Sequence, residues 1–141
     1  MTRNMSGMRG SEASLDTPLR YWLRWSLAAL YMGAGILHVE WPEPFLSITP
    51  DWVPFPEQVI LLTGLVEIAC AIGLGIPPAR RFAGVALALY AVCVFPANIK
   101  HAMLDLGSNG HGGLGWWYHA PRLMLQPVLV WAALYATAFG R

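Results

Sequence analysis

The sequence predicts an all-α integral membrane protein, a four-helix bundle with both termini in the cytoplasm. Three observations predict it. The 141-residue chain is 56% hydrophobic and only 12% charged, against about 25% charged in a typical soluble domain. Its apolar residues gather into four runs, about 19–38, 57–76, 81–104 and 119–139, each close to the roughly 20 residues that cross a hydrocarbon core. Basic residues are also distributed unequally. Arg3, Arg9, Arg20, Arg24, Arg80, Arg81 and Arg141 fall on one side of four such spans. Lys100 and Arg122 fall near the other, with Glu40, Glu43, Asp51, Glu57 and Asp105. The positive-inside rule then puts the arginine-rich side in the cytoplasm of a multi-pass protein of the cell membrane.

Residues 1–18 are polar, carry Gly, Ser and Thr, and end at Pro18, so they read as a flexible cytoplasmic tail ahead of a membrane domain over 19–141. The first span opens with Arg20 and Arg24 and closes at His38. A basic start before an apolar run resembles a signal peptide, but this run is too long for one, and a retained helix is expected. Between the first two spans, Pro42, Pro44, Pro50, Pro54 and Pro56 interrupt the chain and argue against a regular helix there. Trp41, Phe45, Ile48, Trp52 and Phe55 make the same loop apolar enough to cover the bundle at headgroup depth.

The second span ends at Pro77-Pro78, and the third carries Pro96, where a kink is expected. A glycine-rich segment from Gly107 to Gly115 leads through Trp116-Trp117-Tyr118 to the fourth span. Gly33, Gly35, Gly64, Gly73, Gly75 and Gly84 are expected at close helix contacts. Cys70 and Cys93 lie in apolar segments without ligand spacing and read as packing residues.

Glu67 is the one charge in the run from Val59 to Ile76. A charge at mid-membrane costs about 2.5–3.5 kcal/mol on insertion scales, so it is expected to face protein, water or a partner. Helix depths at about 1.5 Å per residue bring other polar groups into the same outer half. These are His38 on the first span, Asn98 and His101 on the third, and Arg122 and Gln126 on the fourth, each of the latter two pairs sharing a face. Arg122 is the expected counter-charge of Glu67, with headgroup snorkelling as its alternative. Interhelical hydrogen bonding explains Asn98 and Gln126 equally well.

Glu67, His38 and His101 are thus the candidates for proton handling, and Asn98, Arg122, Gln126 and Trp41 for ligand binding. Two histidines on different helices could hold a haem, or with Glu67 a metal, but capping of a pocket is the preferred reading. His111 has no partner spacing, and His119 follows the aromatic cluster. A formal charge of +1 and no basic run longer than Arg80-Arg81 exclude nucleic acid. No phosphate loop, dinucleotide fingerprint or Ser-His-Asp grouping appears.

Several short motifs occur in order: Gly35-Ile-Leu-His38, Pro44-Phe45, Thr49-Pro50, Thr63-Gly-Leu-Val-Glu-Ile68, Pro77-Pro-Ala-Arg-Arg81, Val94-Phe-Pro-Ala-Asn-Ile99 and Pro121-Arg-Leu-Met-Leu-Gln-Pro127. Together they resemble the DoxX family over about residues 20–135, with Met124 where that family more often has proline. The resemblance implies a four-helix membrane protein and a redox-associated, quinone-linked subunit. Its partners would be the bilayer and a redox subunit or a second copy, and its ligand a quinone or similar lipophile. The alternatives are a non-enzymatic accessory or assembly protein and, behind both, a small proton-coupled carrier using Glu67.

Overall fold

Thr17 opens α1 (Pro18–Glu40), its hydroxyl accepting from the N–H of Arg20 at 3.3 Å, with Pro18 in the first turn. Proline is favoured there because its missing N–H would be unpaired anyway. The computed structural model describes residues 17–107 and 114–138, all of whose regular structure is helical. Most of the expected tail, with Arg3 and Arg9, lies outside the described residues, as do His111, most of the glycine-rich segment, and Arg141.

After α1 come α2 (Glu43–Ile48), α3 (Pro56–Gly75), α4 (Arg80–Cys93), α5 (Phe95–Gly107) and α6 (Gly115–Thr137). The proline-rich loop is therefore not free of helix. Pro42 is the N-cap of α2 and Pro44 lies in its first turn, where prolines remove no helical bond. The kink expected at Pro96 is a break between α4 and α5 at Val94. Val94 ends α4 with its N–H on the Tyr90 and Val92 carbonyls, and Pro96 has no N–H with which to continue the ladder across that turn. At the far end, α6 begins at Gly115, so Trp116, Trp117 and Tyr118 belong to the helix rather than preceding it. Gly115 has φ +67, a conformation glycine adopts without a Cβ penalty.

Two seams hold the helices. On α1 the buried positions Arg24, Ala28, Tyr31, Gly35 and His38 alternate steps of four and three, as do Ile60, Gly64, Glu67, Ala71 and Leu74 on α3. That spacing keeps one stripe of each helix facing its neighbour. A Cβ on Gly35 would lie 2.7 Å from the Gly64 carbonyl oxygen, and one on Gly64 would lie 2.7 Å from Cβ of His38. The second seam joins α4 to α6, where a Cβ on Gly84 would collide with Thr137. Gly33 makes no such contact and faces open space, contrary to expectation, because it lies off the α1 stripe. Cys93 is likewise exposed rather than packed, whereas Cys70 is buried.

The core is made largely of small side chains, including Ala28, Ala71, Ala83, Ala88, Ala132 and Ala133, around Leu74 and Leu87. Large apolar side chains point outward instead, among them Trp22, Leu62, Phe82, Leu89, Met124 and Trp131. Pro56–Gly75 and Arg80–Gly107 are long and apolar enough to cross a membrane.

Candidate functional site

The seam between α1 and α3 brings His38 against Glu67, with Nδ1 of the ring 3.0 Å from Oε2 of the carboxylate. Both residues are buried. The ring lies 3.8 Å from Phe45 of α2, stacked at 22°. Nδ1 also lies 2.8 Å from the Ala34 carbonyl. A carbonyl only accepts, so Nδ1 carries the hydrogen and directs it there. Oε2 therefore gains a neighbouring dipole without an aligned hydrogen bond. Tyr90 of α4 is within hydrogen-bonding reach of Glu67 and Thr63, and Tyr31 meets Tyr90 edge to face at 6.1 Å.

This cluster lines a cavity of about 480 Å³. Its walls come from α1, α3, the α4–α5 break and α6, and are mostly apolar, with Leu30, Ile60, Ala91, Val94, Leu125 and Leu129 among them. Asn98, Arg122 and Gln126 also line it. Phe45, Ile48, Pro50, Trp52 and Val53 of the segment between α1 and α3 form its roof. Lys100 fastens that roof to α5. Its Nζ donates to the Thr49 carbonyl at 2.6 Å and to Oδ1 of Asp51 at 2.8 Å. The Lys100 hydrogen bond and charge hold the Asp51 carboxyl below its ordinary range. At the other end of the roof, Phe55 sits at φ 50 and ψ 58, a left-handed conformation uncommon for a bulky residue.

Five of the residues singled out from sequence, His38, Glu67, Asn98, Arg122 and Gln126, line this one cavity. Two others do not. Trp41 is the C-cap of α1 and is largely exposed, because the chain turns there and carries its ring away; Trp52 takes the place in the roof. His101 stands behind Arg122, whose Nη1 donates to its Nδ1. Arg122 also lies over the Tyr118 ring at 5.7 Å. The expected ion pair between Arg122 and Glu67 is thus replaced: His101 and Tyr118 hold Arg122, and His38 stands beside Glu67. Sequence reading missed Tyr31, Tyr90 and Thr63, although Tyr31 shares the α1 stripe with His38.

A second acid–histidine pair lies between α5 and α6. His119, fully buried, places Nε2 2.8 Å from Oδ2 of Asp105, and the same oxygen accepts from the N–H of Gly115 at 3.2 Å. The rings of His101 and His119 meet edge to face at 4.9 Å. Among the described residues no group of three or more His, Cys, Asp or Glu is arranged to hold a metal ion.

A family described as a domain of unknown function (DUF8561) matches residues 27–137, which takes in the cavity and both acid–histidine pairs. No curated protein and no solved structure matches the chain.

Proposed function

The chain belongs to the DUF8561 family, and we propose that it is a membrane-embedded protein that binds a small lipophilic molecule in the cavity between its helices. In this reading it is a DoxX-like, redox-associated subunit whose ligand is a quinone-type ring. One observation carries the proposal: a cavity of about 480 Å³ with apolar walls and a few convergent polar groups. Small-molecule sites have volumes of about 300–1,000 Å³ and this kind of lining. Polar residues serving only to join helices need no such void beside them.

The arrangement of large and small side chains supports a lipid surround. Soluble proteins rarely expose large contiguous apolar patches, whereas here tryptophans, leucines and phenylalanines face outward over an alanine-rich core. The proposal has α1, α3, the α4–α5 pair and α6 as the four spans, both termini in the cytoplasm, and the roof outside. Arg20 and Arg24 near one end of α1, with Arg80 and Arg81 at the start of α4, support that orientation.

Chemically, Arg122 and Asn98 would orient a ring oxygen, while Glu67 and His38 would hold or pass a proton. Mass spectrometry of lipophiles carried through purification tests the reading. A ring-bearing lipophile should accompany the wild-type protein and be depleted in Glu67→Gln and Arg122→Ala. Purification of folded wild-type protein without such a molecule, and its failure to take one up, would sink the proposal. An absorption spectrum checks independently for haem or flavin.

The accessory-protein reading has an observation of its own. The Asp105–His119 pair ties α5 to α6 without either residue lining the cavity. That reading expects substitutions of buried polar residues to change stability and nothing else.

A further inference from the structure

Hydrogen-bond accounting around Glu67 bears on the chemical form of the ligand. Among the described residues, the buried side-chain oxygens without a hydrogen-bond partner are Oε2 of Glu67 and Oε1 of Gln126. Both residues line the cavity. Unmatched buried nitrogens occur at Arg20 and His119, which do not line it.

Glu67 is 2% exposed, so outside solvent does not serve its carboxylate. Its neighbours do not serve it fully either. His38 directs its Nδ1 hydrogen to Ala34, and the other nitrogen of a neutral ring is an acceptor. Thr63 gives its hydroxyl hydrogen to the Ile60 carbonyl at 2.8 Å. Tyr90 has one hydrogen, and both Glu67 and Thr63 are in reach of it. An ionised carboxylate has about four acceptor positions, so one phenol leaves capacity over.

Gln126 can turn its amide to offer either an oxygen or an NH₂ group. Oε2 of Glu67, with the His38 hydrogen turned from it, decides the matter wherever the group is a carboxylate. Two further donors of the cavity are otherwise placed: Arg122 is held by His101 and Tyr118, and Asn98 lies on α5, beyond the break at Val94. A carbonyl placed at Glu67 would set acceptor against acceptor. A hydroxyl there would form a hydrogen bond to a charged acceptor, among the stronger kinds.

We infer that the ligand is a hydroxyl-bearing ring, a lipophilic quinol or related phenol, with its O–H donated to Oε2 of Glu67 and the corresponding quinone held more weakly. This rests on the lipophile-binding reading above and specifies the reduced form.

Three probes with one ring and tail separate the possibilities: decylubiquinol, decylubiquinone, and the dimethyl ether of the quinol, which keeps the shape and has no donor. Each is titrated without oxygen into the full-length protein in lipid nanodiscs, and binding to empty discs is subtracted. The quinol should bind roughly tenfold more tightly than either of the others. In Glu67→Leu the three should fall within about twofold of one another. The wild-type comparison stands even if that variant does not fold. Quinone or ether binding as tightly as the quinol overturns the inference and leaves lipophile binding in place. Binding of none of the three overturns both.

Discussion

Among the described residues two acid–histidine pairs join neighbouring helices, Glu67–His38 with both members buried and Asp105–His119 with only the histidine fully buried, and they differ in what lies beside them. In Asp105–His119 the carboxylate oxygen is shared between an imidazole at 2.8 Å and the Gly115 N–H at 3.2 Å, across the start of α6. In Glu67–His38 the imidazole hydrogen is aimed at a backbone carbonyl, and the carboxylate oxygen beside it opens toward a cavity. Composition alone would give both pairs the same role. The first pair closes a contact between helices, while the second has acceptor capacity left over and space to use it. Free volume beside an unmet acceptor, rather than the presence of an ionisable pair, distinguishes a candidate binding group from a structural one.

Substitution can break this comparison from either side. The largest effect on stability should come from His119→Ala, which removes a fully buried ring and leaves a void. Thermal unfolding should report a loss of roughly 2–4 kcal/mol, with ligand retention per folded molecule unchanged. Loss of ligand at full stability would reverse the roles assigned to the two pairs. Gly64→Ala comes next. Its methyl would meet Cβ of His38 at 2.7 Å, so α1 must move away from α3, at a cost of roughly 1–3 kcal/mol. It should also weaken ligand binding, because His38 moves with the seam; undisturbed binding would mean that His38 need not stand where it does.

Glu67→Gln keeps the shape and should change stability by no more than about 1 kcal/mol. It should nonetheless deplete the bound lipophile, as measured by mass spectrometry. A stability loss with no ligand change would make this pair structural as well.

The smallest effect should come from the roof. Lys100→Met removes the clasp to Thr49 and Asp51 and should speed ligand release a few-fold, about the effect of an exposed ion pair. The Asp51 carboxyl lies below its ordinary value because Lys100 hydrogen-bonds its ionised form. The Asp51 half of the clasp is therefore complete above the unfolded carboxyl pKa of about 3.9 and is lost as pH falls through the lower folded value. Release from the wild type should accelerate in that acid window, and release from the variant should show no such step. High salt should narrow the difference between them.

Much of the helical layout was legible because long apolar runs leave little choice. The expected runs of 19–38 and 57–76 correspond to α1 at Pro18–Glu40 and α3 at Pro56–Gly75. The exceptions have local causes. α2 was hidden because its prolines were read as breakers, although they lie where a helix tolerates them. The first turn of α6 is not legible because Trp116-Trp117-Tyr118 directly follow the glycine-rich segment. At the site, depth along each helix grouped the polar residues but could not choose partners among them. Arg122 was the natural counter-charge for Glu67 by sign. Contact between Gly35 and Gly64 brings the α1 stripe onto α3, so that His38 and not Arg122 stands beside Glu67. Tyr31 and Tyr90 escaped notice because a tyrosine in an apolar run looks like wall until a carboxylate is found beside it.

The two glycine seams also bear on how the molecule yields under load. At Gly35–Gly64 and at Gly84–Thr137, backbone and short side chains meet with no flexible atoms between them, so each helix pair resists sliding or separating. The cavity lies between the pairs, bounded by side chains that can change rotamer. At the end of the bundle away from the roof the pairs are themselves joined, Arg20 donating to the Ala138 carbonyl at 3.0 Å and a Cβ on Gly73 lying 3.1 Å from Cβ of Ala83, so the room to yield belongs to the side chains around the cavity and to neither seam.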